Sequence, residues 1–151
     1  MIVDVYVLRA SRPAPGVEVL CLRRAPGLRS AGSWETVHGH IAPGEHPVDA
    51  AVRELHEETG FTALRLYNIS RVESFYLHRR DVVALIPAFA AVVTQGSEPE
   101  LSVEHDRAEW LAPESAGGRF AWPREARALS DALALLPDLS AGPLEDVLRV
   151  R

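Results

Sequence analysis

The sequence predicts an α/β fold, a mixed sheet with helices on both faces. Short runs rich in β-branched residues recur along the chain, two longer stretches carry apolar residues at helical spacing, and the two kinds of segment are interleaved rather than segregated. With 151 residues, no internal repeat and no break in composition, the chain reads as a single domain over residues 1–151.

The elements follow in order. Ile2–Leu8 alternates and reads as a strand; Ser11–Gly16 is a turn, and Val17–Leu22 completes a hairpin. Arg23–Ser33 carries Pro26, Gly27 and Gly32 and reads as a loop, whose Arg23, Arg24 and Arg29 are candidates for phosphate contact against the plainer reading of solvated surface. Trp34–His38 is a short strand that delivers the chain to Gly39. Pro47 suits a first helical position, Asp49 complements the helix dipole, and Gly60 is placed for a left-handed cap. Ala63–Leu77 is strand-like with a break near Asn68, His78–Asp81 is a charged turn, and Val82–Thr94 is a central strand in which Pro87 predicts a bulge or an edge segment. After the loop Gln95–Glu100, Leu101–Leu111 carries a strand bearing Trp110. Pro113–Gly118 is a short helix or turn, Trp122–Leu136 an amphipathic helix with Leu129, Leu133 and Leu136 on one face, and Pro143–Arg151 a last helical turn.

Composition narrows the function. The 47% apolar and 25% charged content is that of a globular protein, and no apolar stretch reaches membrane-spanning length. A net charge of −5 without a basic run argues against nucleic acid as a partner and leaves room for a local phosphate pocket. The lone Cys21 fits a reducing, cytoplasmic setting, and the N-terminus lacks the pattern of a signal peptide.

The informative stretch is Gly39–Phe61. Wound as a helix, Val48, Val52, Leu55 and Thr59 form one stripe with Ala51 beside it, while Glu54, Glu57 and Glu58 gather on an adjacent patch with Arg53 the one cation at hand. Like charges so placed repel, and magnesium, which takes hard oxygen ligands beside phosphate, resolves the repulsion. The plainer alternative is an acidic amphipathic helix after a Gly/Pro loop.

Gly39, Glu45, Arg53-Glu54-Leu55, Glu57-Glu58 and Gly60-Phe61 resemble the signature box of the Nudix hydrolases at every defined position. The resemblance implies a Nudix-like α/β/α sandwich, hydrolysis of a pyrophosphate bond in a nucleoside diphosphate linked to another group, and a need for Mg²⁺, with Mn²⁺ as a substitute. It implies metal ligation by the Gly39 carbonyl, Glu54, Glu57 and Glu58, catalytic roles for Glu54, Glu57 and Arg53, with Glu54 either a ligand or the general base, and Glu45 as a supporting partner of Arg53. The segment Leu101–Leu111 is similar to one in dihydroneopterin triphosphate pyrophosphatases and related nucleotide hydrolases, which implies a metal-binding role for Glu104, with Glu98 and Glu100 as rivals.

Arg23, Phe75, Tyr76 and Trp122 are the candidate substrate contacts, the aromatics by stacking. The proline typical of ADP-ribose hydrolases is missing from Phe75–Arg79, and Tyr76 lies near a tyrosine common in dinucleoside polyphosphate hydrolases. The expectation is a small nucleotide or pterin phosphate, with a triphosphate cleaved to monophosphate and pyrophosphate ahead of a dinucleoside polyphosphate or ADP-ribose. A binding module without turnover is the alternative class, no membrane partner is expected, and a homodimer stays open.

Overall fold

The computed structural model describes residues 1–13 and 15–151. The turn expected over Ser11–Gly16 includes Ala14, which lies outside the described residues. Its ends are closed by the Ser11 N–H on the Gly16 carbonyl at 3.0 Å.

Among the described residues the sheet has seven strands: β1 (Ile2–Ala10), β2 (Val17–Arg24), β3 (Trp34–Glu35), β4 (Val37–His40), β5 (Arg65–Leu77), β6 (Val82–Val92) and β7 (His105–Leu111). β1 is its axis, buried on both faces from Val3 to Leu8 even though Asp4 interrupts its apolar residues. β6 runs parallel to it on one edge. The other edge is divided: Ile2–Val5 pair with β4, and Leu8–Ala10 pair with β2. The chain therefore crosses from β2 to β1 between β3 and β4, which is why the single strand expected over Trp34–His38 is broken at Thr36. The Thr36 hydroxyl donates to the Val5 carbonyl at 2.6 Å and holds the crossing.

α1 (Pro47–Thr59) covers one face over Val3, Val5, Leu22, Val37 and Phe89. α2 (Pro113–Arg119) and α3 (Pro123–Leu135) cover the other over Tyr6, Leu8, Cys21, Tyr67 and Ala88. This is the mixed-sheet sandwich that the sequence predicts.

The face of α1 and the C-terminus differ from expectation, while the features expected at Asn68 and Pro87 take definite form. The buried face of α1 is Ala50, Ala51, Leu55, Glu58 and Thr59, while Val52 is 41% exposed. Two small alanines let the helix backbone lie close to the sheet, and that rotation carries Glu58 inward. The break near Asn68 is a bulge in β5: Asn68 faces Phe89 and Arg71 faces Ala88, leaving Ile69 and Ser70 extra, with Ser70 at φ 55°. Pro87 sits where β6 has β5 as neighbour and the ladder to β1 starts one residue later, so its missing N–H costs nothing there. At the C-terminus a 3-10 turn (Gly142–Leu144) runs into the short helix α4 (Glu145–Leu148), and Val150 and Arg151 run extended against Leu66.

Candidate active site

The loop after β4 and the exposed flank of α1 are tied together by Arg53. Its Nε and Nη2 donate to the two oxygens of Glu45, each at 2.9 Å, and Nη1 donates to Glu54 at 2.7 Å and to Glu57 at 3.2 Å. Nη2 also reaches the His40 carbonyl at 2.8 Å. Glu45 accepts the Ala42 N–H at 2.8 Å as well, and the Arg53 hydrogen bonds, helped by that amide, hold its pKa down at about 2. Arg53 is held protonated by Glu45 first and Glu54 second. One planar cation thus orients three carboxylates, a task its forked geometry suits.

Gly39 explains itself here. A β-carbon at this position would fall on the carboxylate of Glu54, so only glycine lets Glu54 lie against the β4 backbone. Glu57 stands apart, with its side chain 56% exposed. Glu58 is the opposite case: it is 3% exposed, and its Oε2 has no hydrogen-bond partner. Burial first, then the charges of Glu54, Glu104 and Glu35, push its pKa well above the usual carboxylate range, against one backbone hydrogen bond from His38.

Glu58 faces a buried pair that sequence reasoning missed. His105 Nε2 lies 3.1 Å from Glu35 Oε1, and Nδ1 lies 3.7 Å from Glu58 Oε2. Arg24 donates to Glu35 at 3.0 Å and approaches Glu104 at 3.5 Å. Burial raises the pKa of Glu35, but bonds from His105 and Arg24 together with the nearby His38 bring it below the ordinary value. The sequence carried little signal for this pair: Glu35 stands in the short mixed stretch Trp34–His38, in which only Trp34 and Val37 are apolar. Of the three glutamates weighed for the far side of the site, Glu104 alone adjoins this group; Glu98 pairs with Arg9 at 3.1 Å, and Glu100 lies against Gly60.

The candidate substrate contacts do not converge with the carboxylates into one closed pocket. Both guanidinium contacts of Arg23 go to Asp106, at 2.8 and 2.9 Å. Phe75, opposite Ala84, faces the side of α3, at whose start Trp122 is 50% exposed. Tyr76, opposite Val83, faces the other side, 59% exposed and bonded to Asp81 at 2.7 Å. Beneath the start of α3 lies a second buried polar group. Asp4 pairs with Arg124, Glu125 accepts the Thr36 N–H at 3.2 Å, and Asp4 Oδ1, Tyr6 Oη and Glu125 Oε2 have no partner. Burial, reinforced by Asp4, pushes the pKa of Glu125 up to about 8.

Among the described residues, no three acidic, histidine or cysteine side chains already converge as a metal cage. The donor set nevertheless fits a hard cation: carboxylate oxygens gathered on one helix flank, one of them buried without a partner. A metal would supply the positive charge that the burial of Glu58 lacks. Among the described residues, no helix is long and apolar enough to cross a membrane.

The geometry and the comparisons with known proteins agree. A family model, the NUDIX domain, matches residues 2–133. The asymmetrical bis(5'-nucleosyl)-tetraphosphatase of Mus musculus is 35% identical over 102 residues, covering 66% of this chain and 67% of that protein. Among solved structures, a C. elegans Ap4A hydrolase binary complex superposes with a TM-score of 0.73 at 22% identity, covering 90% of this chain and 96% of that one. The E. coli dihydroneopterin triphosphate pyrophosphohydrolase does so with a TM-score of 0.67 at 20% identity, covering 85% and 92%; both structures bear on the fold alone. The chain belongs to the NUDIX family, and it is a Nudix pyrophosphohydrolase. Nudix hydrolases are in general dependent on divalent metal.

Proposed function

We propose that this protein hydrolyses a pyrophosphate bond of a nucleoside polyphosphate, with Mg²⁺ held by Glu57, Glu58, the Gly39 carbonyl and Glu104, and with Glu54 as a further ligand or the general base. The observation that carries the reading is the pairing of Gly39 with Glu54 beside the partnerless Oε2 of Glu58, since neither arrangement serves the fold. Bound magnesium would neutralise phosphate oxygens and acidify the attacking water. The protein's own part is positional. Arg53 fixes Glu45, Glu54 and Glu57 before substrate arrives, so that Glu54 is held in place as a ligand or as the base for the attacking water.

For the substrate we favour a dinucleoside tetraphosphate cleaved asymmetrically. The mouse relative supports it, as does the exposed Tyr76 near the tyrosine common in that class. The Leu101–Leu111 segment supports a second reading, a nucleoside or pterin triphosphate. Phe75 and Trp122, on one side of the sheet, are the proposed stacking surface for a base, and Arg23 a phosphate contact released from Asp106.

The test is kcat/KM with Mg²⁺ for diadenosine tetraphosphate, nucleoside triphosphates, dihydroneopterin triphosphate and ADP-ribose, with products identified. Preference for the tetraphosphate by about tenfold, or roughly 1.4 kcal/mol of transition-state binding, is expected. An equal preference for a triphosphate overturns the substrate and leaves the hydrolase reading; turnover of none of them in Mg²⁺ or Mn²⁺ overturns the proposal.

A further inference from the structure

Glu58 reaches inward from α1 to a histidine that the chain has gone out of its way to supply. β7 pairs regularly with β2 from Val19–Leu111 to Arg23–Arg107, and then Arg24 pairs with His105. Asp106 is the extra residue of this bulge. Because side chains alternate along a strand, one extra residue reverses which way those beyond it point. Asp106 is left outside, where it binds Arg23 at 2.8 and 2.9 Å, and His105 is turned in toward α1. The incoming loop is fixed on both sides: the Glu100 N–H binds the Thr59 carbonyl at 2.9 Å, the Ser102 N–H binds the Glu58 carbonyl at 3.3 Å, and the Ala25 N–H binds the Glu104 carbonyl at 2.8 Å.

The imidazole so placed is fully buried, between two carboxylates whose side chains are each 4% exposed. Glu35 already accepts from Arg24 at 3.0 Å, so it is an anionic acceptor and takes the Nε2–H of His105 at 3.1 Å. That contact sets the tilt of the ring and lays its Nδ1 edge against Glu58 Oε2 at 3.7 Å, beyond hydrogen-bond distance, so that the ring acts on the carboxylate by contact. Neither of these facing atoms has another partner. Packing alone does not call for a polar ring against a buried carboxylate oxygen that is left open.

We infer that His105, anchored on Glu35, is a positioning residue that holds the carboxylate of Glu58 in place as a metal ligand. The ring closes the β7 side of that carboxylate, so that Glu58 cannot swing away from the Gly39–Glu54 side of the site. Glu35 acts through His105 and touches neither metal nor substrate. The inference rests on the metal-dependent reading above. Partners one step behind a metal ligand commonly govern metal affinity by about 10- to 100-fold.

The experiment measures Mn²⁺ binding to the full-length, metal-stripped protein by the electron paramagnetic resonance signal of free Mn²⁺, with thermal melting and steady-state kinetics alongside. His105→Ala and Glu35→Ala are each expected to raise the Kd for Mn²⁺ by about tenfold or more, and the double variant to be no worse than either single one, since the two residues act as a unit. Glu35→Gln keeps an acceptor for the ring and should restore affinity to within about threefold of wild type. KM for the nucleotide at saturating metal should stay near wild type, with the loss in kcat. His105→Gln replaces His105→Ala if the latter does not fold, with the same expected loss, because it keeps a group for Glu35 and none at the Nδ1 position. Folded variants with wild-type Mn²⁺ affinity, or additive losses in the double variant, overturn the inference. Wild-type protein that binds no Mn²⁺ overturns the metal-dependent reading instead.

Discussion

At the scale of single residues, the site is made of side chains that would be poor choices for stability alone. Gly39→Ala places a methyl group on the Glu54 carboxylate, which can yield by moving its far end. Folding should therefore change little, while kcat/KM falls by about 100-fold, the cost of displacing a catalytic group by roughly an ångström; kinetics paired with thermal melting check this. Glu58→Gln removes a charge whose burial is unfavourable in the metal-free protein, so its melting temperature in chelator should rise above that of wild type while turnover is lost. Glu57→Gln, at an exposed position, should lose turnover without that rise.

Glu125 makes a separate residue-scale prediction. Its pKa is about 8 in the fold and about 4.3 in the unfolded chain, so between these values the folded state binds the extra proton. Its contribution to stability is full below about pH 4.3 and is lost as pH rises toward 8. Glu125→Gln, which cannot ionise, should remove this slope. Urea unfolding of wild type and variant at pH 5 and pH 8 should show the variant relatively more stable at the higher pH, by an amount on the order of a few kcal/mol. An equal difference at both values would sink the assignment.

At the scale of elements, the unit is α1 with the loop before it, joined by Arg53. Lysine in its place offers a point charge where a fork serves Glu45, Glu54, Glu57 and the His40 carbonyl. Arg53→Lys should therefore lower kcat by about 10- to 100-fold, with a small effect on melting because Arg53 is one-third exposed. This unit was almost wholly legible in the sequence, since helix start, helix stop and the spacing of the glutamates are local properties. What the sequence did not disclose is which way the helix would be rotated. Val52 is as apolar as Val48, and only the close fit of Ala50 and Ala51 on β1 and β4 decides that Glu58, not Val52, is turned inward. The His105 side of the site was hidden for a related reason. It depends on a bulge between β2 and β7, strands more than 80 residues apart, and a bulge leaves no periodic mark in either strand alone.

At the scale of the molecule, the sheet edge of β1 shared between β2 and β4 brings the two halves of the site together. β4 carries Gly39, β3 carries Glu35 and β7 carries His105, and α1 lies over β4 and β1 with Glu58 reaching to within 3.7 Å of His105. Six strand segments and the covering of both faces could be read from alternation and amphipathicity, but the split of Trp34–His38 into β3 and β4 and the division of that edge could not, because they depend on pairing between segments distant in the chain. The candidate substrate contacts were least legible, for stacking aromatics and core aromatics look alike in sequence; Phe75 and Trp122 share a side of the sheet, and Tyr76 does not. If the proposed metal binds, it relieves the buried charge of Glu58 and acts as a ligand of the whole fold. Mg²⁺ at about 100 times its Kd should add about 2.7 kcal/mol to unfolding free energy. For a chain of this size that corresponds to a rise in melting temperature of about 5–10 °C. Calorimetry of the chelator-treated protein with and without added Mg²⁺ measures it directly. The rise should be abolished in Glu58→Gln, which starts higher without metal and gains nothing from it. A wild-type melting temperature that ignores both Mg²⁺ and chelator, with activity intact, would remove the metal from the account.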